Sequence, residues 1–316
     1  MVERGSAEGD AAARPGAGLP PESSGLIVPG VPLGRHRAPP MVWQFVRRKP
    51  MGVVGAVIVC LLVVVAVFAG GIAQYNPYQV RARLRFQPPG NAFWFGTDDF
   101  GRDVFSRVVY GARISLQIGI AAVFMGTSVG ALVGLISGYF GRRTDLVIQR
   151  IMDAMMAFPT LVLALAVVAA LGVSLPKVIL AVALTLIPVS NRVVRSVALS
   201  VRETDYVAAA RGLGGSEWRV LFSHVLPNCF APYVVIATAN LGTAILAEAA
   251  LGFLGLGVPP PTPAWGSMLS GAAQGYLYRA PWMAMYPGVA ITLAVFGFNM
   301  LGDAVRDVLD PRLRGR

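Results

Sequence analysis

The chain has 316 residues, of which 55% are apolar and only 14% charged, against about 25% charged in an ordinary soluble protein. Its mean hydropathy is +0.62 and its formal net charge +11. These figures exclude a soluble enzyme, a disordered chain and a coiled coil, and point to a polytopic membrane protein whose cations flank the bilayer rather than bind nucleic acid.

Residues 1–40 are rich in Gly, Ala and Pro, with no early apolar run. This predicts a disordered cytoplasmic tail without a cleavable signal. A bilayer-spanning helix needs about 20 consecutive, mostly apolar residues. The first charge-free window follows Arg47, Arg48 and Lys49 and predicts a span over 51–73. Later windows predict spans at 114–137, 155–172, 178–198, 229–256 and 284–302, six in all, so the fold class is an all-α integral membrane protein. The chain then divides into the tail, a first helix with external loop (41–113), a core (114–302) and a C-terminal tail (303–316). The stretch 258–283 carries Pro259, Pro260, Pro261, Pro263 and Pro281. Prolines remove backbone donors that hydrocarbon cannot replace, so this stretch reads as an external loop, with Trp265 as its candidate contact for an outside partner.

Lys and Arg bias sets orientation. With both termini in the cytoplasm, nineteen cations fall inside and eight outside. Six of the eight are arginines of the first external loop, which run against the rule.

Span two carries Gly126, Gly130, Gly134 and Gly138 on one face. Glycine at four-residue spacing lets another backbone approach closely, so these four predict a tight helix crossing. Glu248 stands alone in a long apolar run. A charge at mid-bilayer costs about 2.5–3.5 kcal/mol, so it needs a partner such as Asn240 or Asn299, either in a pathway or as a buried structural group. Asp153, beside Arg150, reads as a helix-end charge. Cys60 and Cys229 read as small buried thiols, and His36 and His224 complete no metal-ligand spacing.

A P-loop needs Gly-Lys before Ser or Thr. The two lysines, Lys49 and Lys177, follow Arg48 and Pro176. Energy for transport would therefore come from a partner, or the protein is a passive conduit; the loop 199–228 is where a partner could push. Ala208 to Ala210 favour a short helix, and Gly214 and Gly215 end it. Ser216 can cap a second helix, with Trp218, Leu221, Phe222 and Val225 as an apolar stripe, before Pro227 marks re-entry to the membrane.

The run Ala209-Ala210-Arg211-Gly212-Leu213-Gly214 followed by His224-Val225-Leu226-Pro227-Asn228 resembles the EAA motif of ABC-importer permeases, closest to the C-type subunit of the dipeptide, oligopeptide and nickel permease family. Phe95 to Arg107, Gly111 to Leu116, Met152-Asp153, Phe158-Pro159, Glu248 to Gly257 and Trp265 to Leu269 fit the same family in order. The resemblance implies a type I ABC-importer permease fold in a bacterial plasma membrane. It implies a second, homologous permease subunit, two ATPase subunits that bind ATP and Mg, and an external binding protein that delivers short peptides. The chain itself would hold no cofactor or metal and catalyse nothing. Tyr206, Ala209, Ala210, Arg211 and Gly214 would belong to the loop that docks in an ATPase cleft. The namesake Glu aligns with Ala208 here, so Arg211 or Glu203 would replace its ion pair. Nickel chelates or another small solute are the alternative cargo. A more distant alternative is an ATP-independent channel or carrier using Glu248.

Overall fold

In the computed structural model the described residues are 50–273 and 275–309, so the expected tail 1–40 and residues 310–316 lie outside them. They form helices, with one isolated bridge between Thr97 and Asp103. The first helix, α1 (Pro50–Val67), is apolar on every side. Side chains are absent at Gly55 of α1 and at Gly297 opposite it; a Cβ at Gly55 would lie 2.6 Å from Met300 Cβ, and one at Gly297 2.7 Å from Ile58 Cγ2.

The second helix, α2 (Val104–Phe140), has 37 residues and starts ten before the predicted span. Asp103 starts it: the carboxylate accepts from the Ser106 backbone N–H at 2.8 Å and from its hydroxyl at 2.6 Å. That cap supplies partners to otherwise orphaned helix-end donors. Charge-free windows mark the hydrocarbon, whereas helix ends are set by caps, so the predicted boundary at residue 113 falls inside a helix.

The predicted third span, 155–172, holds the end of one helix, α3 (Arg142–Met156), and all of a second, α4 (Thr160–Leu171), bent by 90° from it, so α3 occupies most of the predicted loop after span two. Pro159 causes the break, since it lacks an N–H and disfavours helical geometry at Phe158. Next come α5 (Leu175–Arg202) and the short α6 (Asp205–Gly212). One helical turn (Glu217–Val220) and a π-helical turn (Leu221–Val225) then lead into α7 (Leu226–Phe253). The proline-rich stretch is more ordered than a loop, because it contains α8 (Trp265–Ala273). Nine residues are too few to cross a bilayer. The last helix, α9 (Trp282–Leu309), takes in residues 303–309 of the predicted C-terminal tail. Among the described residues five helices are long and apolar enough to cross a membrane, six counting the bent α3–α4 pair.

The largest helix contact is α2 on α5; α7 packs on both, and α9 joins α7 to α1. The four glycines of α2 lie along that first crossing. A Cβ on Gly126, Gly130, Gly134 or Gly138 would come within 3.0 Å of the carbonyl oxygens of Ala183, Ile187, Asn191 and Arg195 respectively. Two four-residue ladders thus mesh, glycine against bare backbone, as close approach in lipid requires.

Candidate functional site

The loop between α5 and α7 folds into a helical knob. Gly214 turns the chain at φ +81°, a left-handed conformation that favours glycine, and the Ser216 hydroxyl accepts from the Arg219 N–H at 3.4 Å. Val207, Val220, Leu221 and Val225 are buried against Leu135 and Tyr139 of α2 and Val194 and Ala198 of α5. The predicted four-residue stripe divides: Leu221 and Val225 are buried, while Trp218 and Phe222 are about half exposed. The π-helical turn over Leu221–Val225, with its i→i+5 bonding, interrupts the α-helical register on which the predicted stripe rests. Trp218 then rests on Phe140 at 5.3 Å between ring centroids.

Three contacts join the knob's tip to itself and to Tyr139 of α2. The Tyr139 hydroxyl donates to the Glu217 carboxylate, Arg211 lies 3.6 Å from that same carboxylate, and its guanidinium stands 4.9 Å from the Tyr139 ring. The Tyr139 hydroxyl, with Glu217 behind it, holds Arg211 above its ordinary guanidinium value. The Tyr206 hydroxyl accepts from Asn228 Nδ2 at 3.0 Å, and that amide also donates to the His224 carbonyl at 2.7 Å. Ala209 is exposed and Ala210 half-buried, and Leu213 protrudes at 90% exposure. Glu203, the other expected substitute for the missing Glu, pairs with its neighbour Arg202 at 2.8 Å.

Above the knob a polar seam runs between the membrane helices. Asp145 of α3 receives both Arg195 Nε and Nη2 at 2.5 Å. Gln149 donates to Ser137 at 2.9 Å and to Asn191 at 3.0 Å. Asp153 pairs with Arg192 at 2.8 Å, so it is not a simple helix-end charge beside Arg150. Sequence reasoning missed this ladder, although Asp145, Gln149 and Asp153 at four-residue spacing on one face of an amphipathic helix were its visible signal.

The three predicted pathway residues do not meet. Glu248 is fully buried and accepts from the Ser115 hydroxyl at 2.9 Å; among the described residues its other oxygen has no hydrogen-bond partner. Asn240, two turns earlier, donates to Thr127 at 3.2 Å and Ser190 at 3.3 Å. Asn299 is exposed and lies against the bare Cα of Gly242. The expected Glu248–Asn pairing is therefore corrected: each side chain sits too deep or too far along its helix, and serine is the carboxylate's partner.

Trp265 is corrected too. It is 1% exposed, its indole N–H donates to the Val108 carbonyl at 2.9 Å, and Gly111 of α2 makes room for the ring. It anchors α8 to α2 and faces no outside partner. Of the two cysteines, Cys229 is buried and Cys60 faces outward from α1.

The arginine-rich loop before α2 is a collar around the start of that helix. Asp98 accepts from the N–H groups of Phe100 at 2.9 Å and Arg102 at 2.8 Å, and pairs with the guanidinium groups of Arg102 at 2.6 Å and Arg107 at 3.6 Å. Arg107 also reaches the carbonyls of Pro77 at 3.1 Å and Pro261 at 3.4 Å. Arg113 donates to the end carbonyls of α1 at Ala66 and Val67, both at 3.1 Å, while Arg85 donates to the Asp99 carbonyl. Arg81 stacks on Tyr75 at 4.3 Å. Burial, with the adjacent Asp98 charge second, raises Asp99 above the ordinary carboxylate value.

Comparison with known proteins places this arrangement. Residues 130–315 match the family described as binding-protein-dependent transport system inner membrane component, and residues 41–89 match the N-terminal TM domain of oligopeptide transport permease C. The dipeptide transport system permease protein DppC of Alkalihalophilus pseudofirmus is 46% identical over 85% of this chain and 88% of its own length. The glutathione transport system permease protein GsiD of Escherichia coli is 44% identical over 86% of this chain and 90% of its own. Among solved structures, an inward-facing MetNI methionine ABC transporter chain superposes with a TM-score of 0.53 at 21% identity, covering 65% of this chain and 97% of that one, which shows a shared fold. The chain belongs to the binding-protein-dependent transport system inner membrane components, and it is a multi-pass inner-membrane protein with an ABC-importer permease fold.

Proposed function

We propose that this chain is one permease subunit of an ATP-driven importer of short peptides. The observation that carries the reading is the near full-length match to a dipeptide permease. The partners would be a second, homologous permease subunit, two ATPase subunits and an external binding protein. ATP and Mg would sit on the ATPases, and this chain would do no chemistry of its own. Both termini and the knob would face the cytoplasm. The knob's build supports its proposed role as the ATPase docking element. Its inner face is packed on α2 and α5, while Tyr206, Ala209, Arg211 and Leu213 are exposed. A push on such a tip moves the membrane helices instead of bending a loop.

Glu248 and Asn240 would hold α7 to α2 and α5 rather than touch cargo, because both are buried among those helices. The test is reconstitution of the complete transporter with loaded binding protein. Arg211→Glu would set like charges against Glu217 and is expected to abolish binding-protein-stimulated ATP hydrolysis and peptide uptake while leaving the complex assembled. Undiminished coupling would remove the docking role from the knob.

A further inference from the structure

At the α3–α4 elbow, exposed, irregular backbone meets an exposed ion pair. With 12 residues, α4 is about 18 Å long at 1.5 Å per residue, against about 30 Å of hydrocarbon. Its far end lies only four residues before α5, whose 28 residues are enough to cross. The elbow at Ala157–Pro159 therefore stops short of the opposite interface, inside the depth of the bilayer. Helix ends carry unpaired backbone groups, and lipid-exposed irregular backbone is not tolerated at that depth, only backbone that is covered by protein or lines water. Yet Met156 and Phe158 are 41% and 57% exposed, and Pro159 is exposed beside them.

The polar ladder between α3 and α5 sharpens this. Its first rung is shielded, with the Asp145 side chain 18% exposed. Its last rung, nearest the elbow, is open: Asp153 and Arg192 are 51% and 50% exposed. The first two rungs already fasten α3, so the last leaves a carboxylate and a guanidinium side by side and facing outward. A zwitterionic peptide presents the complementary pair, an ammonium for Asp153 and a carboxylate for Arg192, which can bind a carboxylate in bidentate fashion.

We propose that the elbow and the Asp153–Arg192 pair form this subunit's wall of a water-filled translocation path, and that the pair contacts the charged ends of a short peptide in transit. The peptide part rests on the function proposed above; the hydration of the elbow does not. The experiment uses the assembled transporter in proteoliposomes, with Cys60→Ser and Cys229→Ser as background. Phe158→Cys is expected to react with a charged, membrane-impermeant thiol reagent. Reaction only with a lipid-soluble maleimide would overturn the path. Asp153→Asn and Arg192→Gln are each expected to lower dipeptide uptake per ATP hydrolysed about tenfold, the scale of one modest charge-assisted contact, while loaded binding protein still stimulates hydrolysis. Unchanged uptake per ATP in both would overturn the peptide contact. A native complex with neither uptake nor stimulation would instead sink the importer reading, and the labelling result would stand by itself.

Discussion

The collar and the knob lie at opposite ends of α2, and both contain arginines, yet they use charge in opposite ways. In the collar, Arg107 is 6% exposed and its donors reach Asp98 and two carbonyls from distant parts of the chain. In the knob, Arg211 keeps a loose 3.6 Å pairing and lies beside a leucine that is 90% exposed. The collar's arginines close helix ends and bind loops together, so they are not free flanking charges of the kind the orientation rule counts. The knob's polar groups remain available to something else. The same residue type fastens one end of the helix and leaves a handle at the other.

Removing Asp98 is the most direct way to break that contrast. Asp98→Ala strands two guanidinium groups and two N–H donors, and breaking a buried pair costs about 3–5 kcal/mol. The expected result is a sharp fall in thermal midpoint and yield in detergent; native-like melting would mean that the collar fastens nothing. Next in size is the crossing that joins the two ends. Gly130→Leu would drive its side chain into the Ile187 carbonyl and Ser190, at about 1–3 kcal/mol for overpacking, read by the same melt. On the knob, Leu213→Asp should change stability by less than about 0.5 kcal/mol and yet lower coupled ATP hydrolysis. A large loss of stability there would make the tip structural and erase the difference between the two ends.

Much of this was legible in the sequence, for physical reasons that also mark where it stopped. Hydropathy runs follow from backbone and side-chain transfer, so the spans could be read directly. The glycine ladder of α2 and the Gly214 turn were readable because only glycine suits those backbones. The elbow was hidden inside an apolar run, since Pro159 breaks a helix without changing its hydropathy. Partners far apart in sequence were hidden too: nothing local ties Glu248 to Ser115, 133 residues away, or Trp265 to Val108. Exposure was the weakest inference of all. Trp265 in a proline-rich loop and arginines outside the membrane both looked like surface, and tertiary contacts buried or engaged them.

The smallest expected effect tests whether even the edge of the collar is built around buried charge. Asp99 lies beside Asp98 and 3.7 Å from Arg102, and burial first, then the Asp98 charge, raises its carboxyl above the ordinary value. A folded-state value above the unfolded one means that the native protein binds more protons in that window, so stability falls as pH rises through it. Below the ordinary carboxylate value the group is protonated in both states and contributes nothing. Above its raised value the destabilisation is complete and constant. Asp99→Asn should therefore leave the acid melting point unchanged, raise the neutral one slightly, and flatten the slope between them. The gain is small because Asp99 is partly solvated and Arg102 offsets some of the repulsion. A drop in neutral stability would instead make Asp99 one of the collar's fastening groups, on a par with Asp98.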